Sequence, residues 1–199
     1  MFIAVGGIDG SGKTTQVNRL EEKLRLSGRR PLIIKAFDEE TKKACRPFVN
    51  EWVDEAAILF LFHALYANQR AKVQEALALN HLVIADRWDE SYLAQYANFG
   101  LLAEKHALRH HLYNLTFDDL LPDIGFLLTI PADVARDRRK LRGQNSRFGE
   151  GPDEKYEKLQ ETYCSIAMNR GWHILDGTKS ADAIHREIMF LTSNFLQRT

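Results

Sequence analysis

The chain has 199 residues, enough for one well-buried core, and its 45% hydrophobic and 27% charged content fits neither a disordered polypeptide nor a membrane-inserted one. Lys plus Arg and Asp plus Glu both number 27, so the net charge is zero, which argues against a broad basic field for nucleic acid. The only cysteines, Cys45 and Cys164, have no metal-ligand spacing and are expected to be free thiols, and with no export signal or membrane span legible the expected compartment is the cytoplasm.

In chain order, Phe2-Ile3-Ala4-Val5 is a short apolar run suited to a buried strand. It leads into Gly7-Ile8-Asp9-Gly10-Ser11-Gly12-Lys13-Thr14, which fits GxxxxGK[ST] at every fixed position and reads as a phosphate cradle. Glycines let backbone N–H groups converge on anionic oxygens. Lys13 adds a full positive charge, and Thr14 offers a hydroxyl for Mg²⁺ on ATP phosphates. Val17, Leu20 and Leu24 then predict a helix to about Leu26, and Pro31 to Phe37 a second strand. Asp38 to Arg46 predicts a short helix interrupted by Pro47, and Asp54 to Leu79 a long helix whose apolar centre, Ile58 to Phe62, must be largely buried.

Leu82-Val83-Ile84-Ala85-Asp86 reads as a central parallel strand that delivers Asp86 to its carboxyl end, a position from which a carboxylate holds Mg²⁺. Arg87 follows and suits a substrate phosphate, with a surface pair to Asp89 or Glu90 as the plainer alternative. Helix is expected from Ser91 to Leu115 with a break near Asn98-Phe99-Gly100, a strand from Ile124 to Ile130, and a helix opened by Pro131-Ala132-Asp133. Arg136, Arg138, Arg139, Lys140, Arg142 and Arg147 flank the glycine-bearing loop Gly143 to Pro152; taken singly each suits a solvated helix face, and as a cluster they make a basic segment placed to close over a nucleotide. A helix from Asp153 to Met168, a strand from Trp172 to Leu175 and a last helix with Ile184, Ile188, Leu191 and Phe195 on one face complete the chain.

Tyr66 and Arg70, four apart, share a helix face: a ring and a guanidinium fit for a nucleobase, or equally a core edge and a surface cation. The histidines, His63 among them, are expected on solvated faces. Alternating strands and helices predict an α/β fold, a central parallel sheet of about five strands with helices on both faces in a P-loop NTPase-type three-layer sandwich. One domain over residues 1–199, with a lid segment at about 136–152, is expected.

With these residues together, the chain resembles the thymidylate kinase family of nucleoside monophosphate kinases. The phosphate loop through Thr15-Gln16, Asp86-Arg87-Trp88 with Ser91, Tyr66 with Arg70, Pro122-Asp123 and Ile174-Leu175-Asp176-Gly177 carry the resemblance. It implies ATP-dependent, Mg²⁺-requiring phosphorylation of thymidine monophosphate. It places Gly7, Asp9, Gly10, Ser11, Gly12, Lys13, Thr14 and Thr15 on ATP, and Thr14 and Asp86 on the metal. Asp9, Tyr66, Arg70, Arg87, Gln95 and Tyr96 fall on the acceptor, with Lys13, Arg87, Asp9, Arg142 and Arg147 catalytic. It also suggests a homodimer, with nucleotides rather than nucleic acid or membrane as partners. Three departures bear on the acceptor: Lys35-Ala36-Phe37-Asp38-Glu39-Glu40 replaces the family's Thr-Arg-Glu-Pro-Gly-Gly, Gln95-Tyr96 inverts its Tyr-Gln, and Ser146-Arg147 stands for Asp-Arg. A kinase of the same fold with another nucleotide, nucleoside or small alcohol as acceptor, or an ATP-binding module without turnover, are the alternatives.

Overall fold

The computed structural model describes residues 1–35, 39–51, 54–98, 102–141, 143 and 152–197. Its described elements are β1 (Phe2–Gly6), α1 (Lys13–Leu26), β2 (Leu32–Lys35), α2 (Glu39–Glu51), α3 (Glu55–Ala78), β3 (Val83–Asp86), α4 (Asp89–Asn98), α5 (His106–Phe117), β4 (Ile124–Thr129), α6 (Ala132–Leu141), α7 (Asp153–Asn169), β5 (His173–Asp176) and α8 (Ala181–Leu196). The strands form one sheet in the order β2-β3-β1-β4-β5, with every pairing parallel. This is the P-loop NTPase-type α/β arrangement expected from the alternation of elements.

The period of two in β1 explains the layers. Phe2 and Ala4 face a core with Leu59 and Tyr66 of α3, Phe117 of α5 and Tyr163 of α7. Ile3 and Val5 face the other, with Val17, Leu20 and Leu24 of α1 and Ile184 and Ile188 of α8. Because both faces are covered, the central strands are apolar up to their carboxyl ends. Asp123 ties β4 to β1: its Oδ2 accepts from the Phe2 N–H at 2.7 Å and its own N–H donates to the Phe2 carbonyl at 2.8 Å.

Chain direction along the sheet reverses about β1. The connection from β1 runs outward to β2, β3 returns between them, and β4 continues on β1's other side. Ligand crevices of open parallel sheets form at such a reversal, outside the strands' carboxyl ends. Register sets Val5 opposite Asp86, so the end of β3 stands beside the start of the phosphate loop.

Three expectations need correction. Helix α2 does not stop before Pro47 but runs through it to Glu51; proline removes the bond to the carbonyl four residues back and crowds that carbonyl, and little helix remains beyond it. The centre of α3 is not buried all round, because Phe60 is 58% exposed while Ile58, Leu59 and Phe62 turn inward. A helix packed on one side leaves the opposite face outward, whatever residue stands there. His63 is buried rather than solvated. It bonds through Nδ1 to the Thr116 hydroxyl, and burial lowers its pKa to about 4. Among the described residues no helix is long and apolar enough to cross a membrane.

Candidate active site

The phosphate loop leaves β1 at Gly6 and enters α1 at Lys13. Gly7 has φ of 136°, and a Cβ there would lie 2.4 Å from the Leu128 carbonyl oxygen. Gly10, at φ 94°, presses on α6, where a Cβ would come within 2.8 Å of the Ala135 carbonyl oxygen. Only glycine meets both demands. Gly12 is the helix N-cap in the left-handed region and supplies no side-chain cap, and α1 has no acidic residue in its first turn. The opening amides of α1 are therefore available to an anion, with the helix dipole behind them.

Lys13 is buried and folds back to donate from Nζ to the Ile8 carbonyl at 2.8 Å. Burial, reinforced by the nearby Arg87 charge, pulls its pKa down to about 7. An ammonium held so far below its usual range is short of negative charge, which a polyphosphate provides. The Ser11 hydroxyl oxygen is also buried and has no hydrogen-bond partner among the described residues.

At the end of β3, Asp86 Oδ2 accepts from Thr14 Oγ1 at 2.5 Å, so a hydroxyl and a carboxylate converge beside the loop. Mg²⁺ in phosphoryl-transfer sites commonly takes one or two protein oxygens and completes its shell with phosphates and water, and this pair fits that need. Arg87 then turns the chain with φ of 73°, a strained value for a non-glycine residue that throws its side chain back over the loop. Its Nη2 pairs with Asp9 Oδ1, and its Nη1 donates to Ser91 Oγ at 3.1 Å and to Tyr163 Oη at 2.9 Å. The Arg87 charge holds Asp9 down at about 2, against the upward pull of burial. The plainer alternative, a surface pair with Asp89 or Glu90, does not form, because Arg87 pairs with Asp9. Asp89 is instead taken by Arg170, the C-cap of α7, at 2.9 and 2.5 Å, and by the Tyr113 hydroxyl at 2.6 Å.

Helix α6 brings two arginines to the loop's carbonyl side. Arg138 Nη1 donates to the carbonyls of Gly10 at 3.3 Å and Gly177 at 3.0 Å, bridging the loop to the segment after β5. Arg139 Nη1 donates to the Asp9 carbonyl at 3.1 Å, and its guanidinium lies 4.0 Å from the centre of the Tyr156 ring. Arg142, Arg147 and the side chain of Tyr96 lie outside the described residues.

The thymidylate kinase family model matches residues 5–188. The chain belongs to the thymidylate kinase family. It is 31% identical to a thymidylate kinase of Thermosipho africanus (strain TCF52B) over 208 residues, which covers 99% of this chain and 100% of that protein. It is 30% identical to one from Fervidobacterium nodosum over 200 residues, covering 98% and 100% respectively. With one from Pseudomonas putida it shares 26% identity over 207 residues, covering 100% and 97%.

In this thymidylate kinase family member the residues expected at the phosphates are closely assembled: Asp9, Lys13, Thr14, Asp86 and Arg87 meet from the phosphate loop, α1 and the end of β3. The residues expected at the nucleobase are more enclosed. Tyr66 is only 4% exposed, with its ring 5.2 Å from Phe117 and edge-on to Trp88 at 6.3 Å. Arg70 donates from Nη1 to the Leu115 carbonyl at 2.9 Å, while its buried Nε has no partner among the described residues. Gln95 is half-buried on α4, and Thr15 is exposed on α1. Tyr163, Ser91 and Arg139 complete the surroundings of Asp9 and Arg87. Arg139 is expected only as a member of the basic segment and no local motif marks Tyr163; the packing of α6 and α7 against the loop brings both beside Asp9.

Proposed function

We propose that this chain transfers the γ-phosphoryl group of ATP to thymidine monophosphate, giving ADP and thymidine diphosphate. The observation that carries the reading is the convergence of Lys13, the Thr14–Asp86 pair and the Asp9–Arg87 pair on one phosphate loop, in a chain of the thymidylate kinase family. In this reading the amides from Gly7 to Thr15, including those of Gly10, Ser11 and Gly12, cradle the donor phosphates, and Lys13 swings from the Ile8 carbonyl to meet them. Thr14 and Asp86 would hold Mg²⁺, which when bound neutralises phosphate charge. Arg87 takes the acceptor phosphate in its planar fork, and Asp9 aims that fork and the acceptor's sugar. The attacking group is a phosphate oxygen already free of its proton, so the side chains position and neutralise, and no base is needed.

Tyr66, Arg70, Gln95 and Tyr96 are assigned to the nucleoside. Tyr66 then offers an edge of a packed aromatic cluster, and Arg70 must leave the Leu115 carbonyl to reach a base. Arg142 and Arg147 belong to the proposed lid at about 136–152 of a single domain, whose closure excludes water from the transfer. A homodimer and a cytoplasmic location complete the reading, and light scattering on a size-exclusion column tests the former.

A second reading, the same chemistry on another acceptor, is favoured by Lys35 to Glu40 and by the inverted Gln95-Tyr96. Incubation with Mg·ATP and a panel of nucleosides and monophosphates, following ADP, separates the two. Stimulation by thymidine monophosphate above every other acceptor supports the first reading, and stimulation by another acceptor alone supports the second. ATP binding with no acceptor-dependent ADP at all would leave only a non-catalytic module.

A further inference from the structure

Asp9 is held by two arginines at once, Arg87 on its carboxylate and Arg139 on its carbonyl oxygen. Each of those arginines touches a tyrosine of α7. Tyr163 accepts from Arg87 Nη1 at 2.9 Å, and Tyr156 lies under the Arg139 guanidinium at 4.0 Å. Both tyrosines are buried and stand seven residues apart, so they leave the helix on the same side. The face is pinned between them by Gln160, whose Oε1 accepts from the Ile130 N–H at 2.9 Å.

We propose that this face of α7 orients both arginines around Asp9, with Tyr163 and Tyr156 as positioning residues for Arg87 and Arg139. The inference rests on the phosphoryl-transfer reading, in which the acceptor and donor phosphates meet beside Asp9. Long flexible cations gain most from being held before the substrate arrives, because a fork grips phosphate only when its plane is set.

The two braces work by different chemistry. At Tyr163 the hydroxyl acts. It accepts from Arg87 and donates to Ser91 Oγ at 3.0 Å, and Ser91 donates to Glu90 Oε1 at 2.7 Å. Glu90, buried, also accepts from the Trp88 N–H at 2.9 Å, so the chain ends on a fixed carboxylate. A ring without its hydroxyl removes both of the links made through Tyr163 and leaves the direct bond from Arg87 Nη1 to Ser91 Oγ, at 3.1 Å, as the tie between Arg87 and this chain. At Tyr156 the ring face acts, because a guanidinium above an aromatic plane is attracted by the π-system. Loss of the hydroxyl there keeps the ring face under Arg139, while loss of the ring removes that contact.

The same substitution must therefore give opposite results seven residues apart. With Mg·ATP and thymidine monophosphate, Tyr163→Phe is expected to raise the acceptor KM about tenfold while the ATP KM stays within about twofold. Tyr156→Leu is expected to lower kcat about three- to tenfold, and Tyr156→Phe to restore it. Arg139→Ala combined with Tyr156→Leu should be no slower than Arg139→Ala alone, since Tyr156 acts only through Arg139. Equal effects of phenylalanine at both positions, or additive losses in the double variant, would overturn the proposal. A second readout needs no turnover: with isotope-labelled arginine, restricted guanidinium rotation gives resolved Nη signals in the magnetic resonance spectrum. Those of Arg87 should broaden in Tyr163→Phe, where Asp9 and Ser91 remain as its partners, and those of Arg139 should broaden in Tyr156→Leu only. If the parent chain fails to turn over, the phosphoryl-transfer reading falls and this spectrum alone decides the brace, with unchanged Arg87 signals in Tyr163→Phe counting against it.

Discussion

Thr14 and Asp86, 72 positions apart in the chain, meet through a hydroxyl-to-carboxylate hydrogen bond of 2.5 Å. The contact exists because β1 and β3 are neighbours in register, which sets the first turn of α1 against the end of β3. Two oxygens brought together beside a phosphate loop make the expected metal position, and the charge on one of them is open to test. Asp86→Asn keeps an oxygen for Thr14 to bond and removes the charge. The Mg²⁺ concentration for half-maximal activity should rise by about tenfold or more. An unchanged Mg²⁺ dependence would take Asp86 out of the metal site.

Lys13 links the electrostatics to a measurable proton. In the free protein its pKa lies near 7, lowered by burial and by Arg87, and a bound polyphosphate raises it toward or beyond the ordinary lysine value. At about pH 8.5 most of the free protein then carries a neutral Lys13, and nucleotide binding takes a proton up from the buffer. Calorimetric titration with Mg·ATP in two buffers of different ionisation enthalpy should show that uptake, and Lys13→Met should abolish it. Proton release, or no proton linkage in the parent chain, contradicts the assignment. The same variant should lower turnover by about a hundredfold or more with its melting temperature close to the parent's.

Asp89 is fully buried, and its neutralising partner is Arg170 at the end of α7, with Tyr113 as a third member. Removing one side of such a pair strands a charge in the interior. Arg170→Leu should therefore destabilise the protein by about 3 kcal/mol in denaturant unfolding. Adding Asp89→Asn to it should recover part of that loss. A loss for Arg170→Leu no larger than for an exposed arginine such as Arg25 would show that the pair is not load-sharing between α4 and α7.

The sheet and the phosphate loop were legible because their signals are local. Phe2 to Val5 and Leu82 to Asp86 are short apolar runs, and the loop motif fixes its own backbone. What the sequence withheld are relationships between distant segments. Pro47 suggested a break, yet its position near the end of α2 made the lost bond tolerable. Phe60 looked like core because composition does not say which face of α3 its neighbours cover. Arg87 pairs with Asp9 rather than with the acids next to it, since the left-handed turn at Arg87 sends the side chain back over the loop. Tyr163 carries no motif, and the basic segment that contains Arg139 does not say which of its cations meets the loop. The place of both beside Asp9 follows from how α6 and α7 pack, which no spacing in the chain records.

The central claim is the transfer of one phosphoryl group from ATP to thymidine monophosphate at this loop. It is tested most directly by incubating the purified chain with Mg·ATP and thymidine monophosphate and separating all nucleotides by anion-exchange chromatography over time. Thymidine diphosphate and ADP should appear in equal amounts, and neither should accumulate with the Lys13→Met variant. ADP formed without thymidine diphosphate, or no product from a folded chain that binds ATP, would contradict the account.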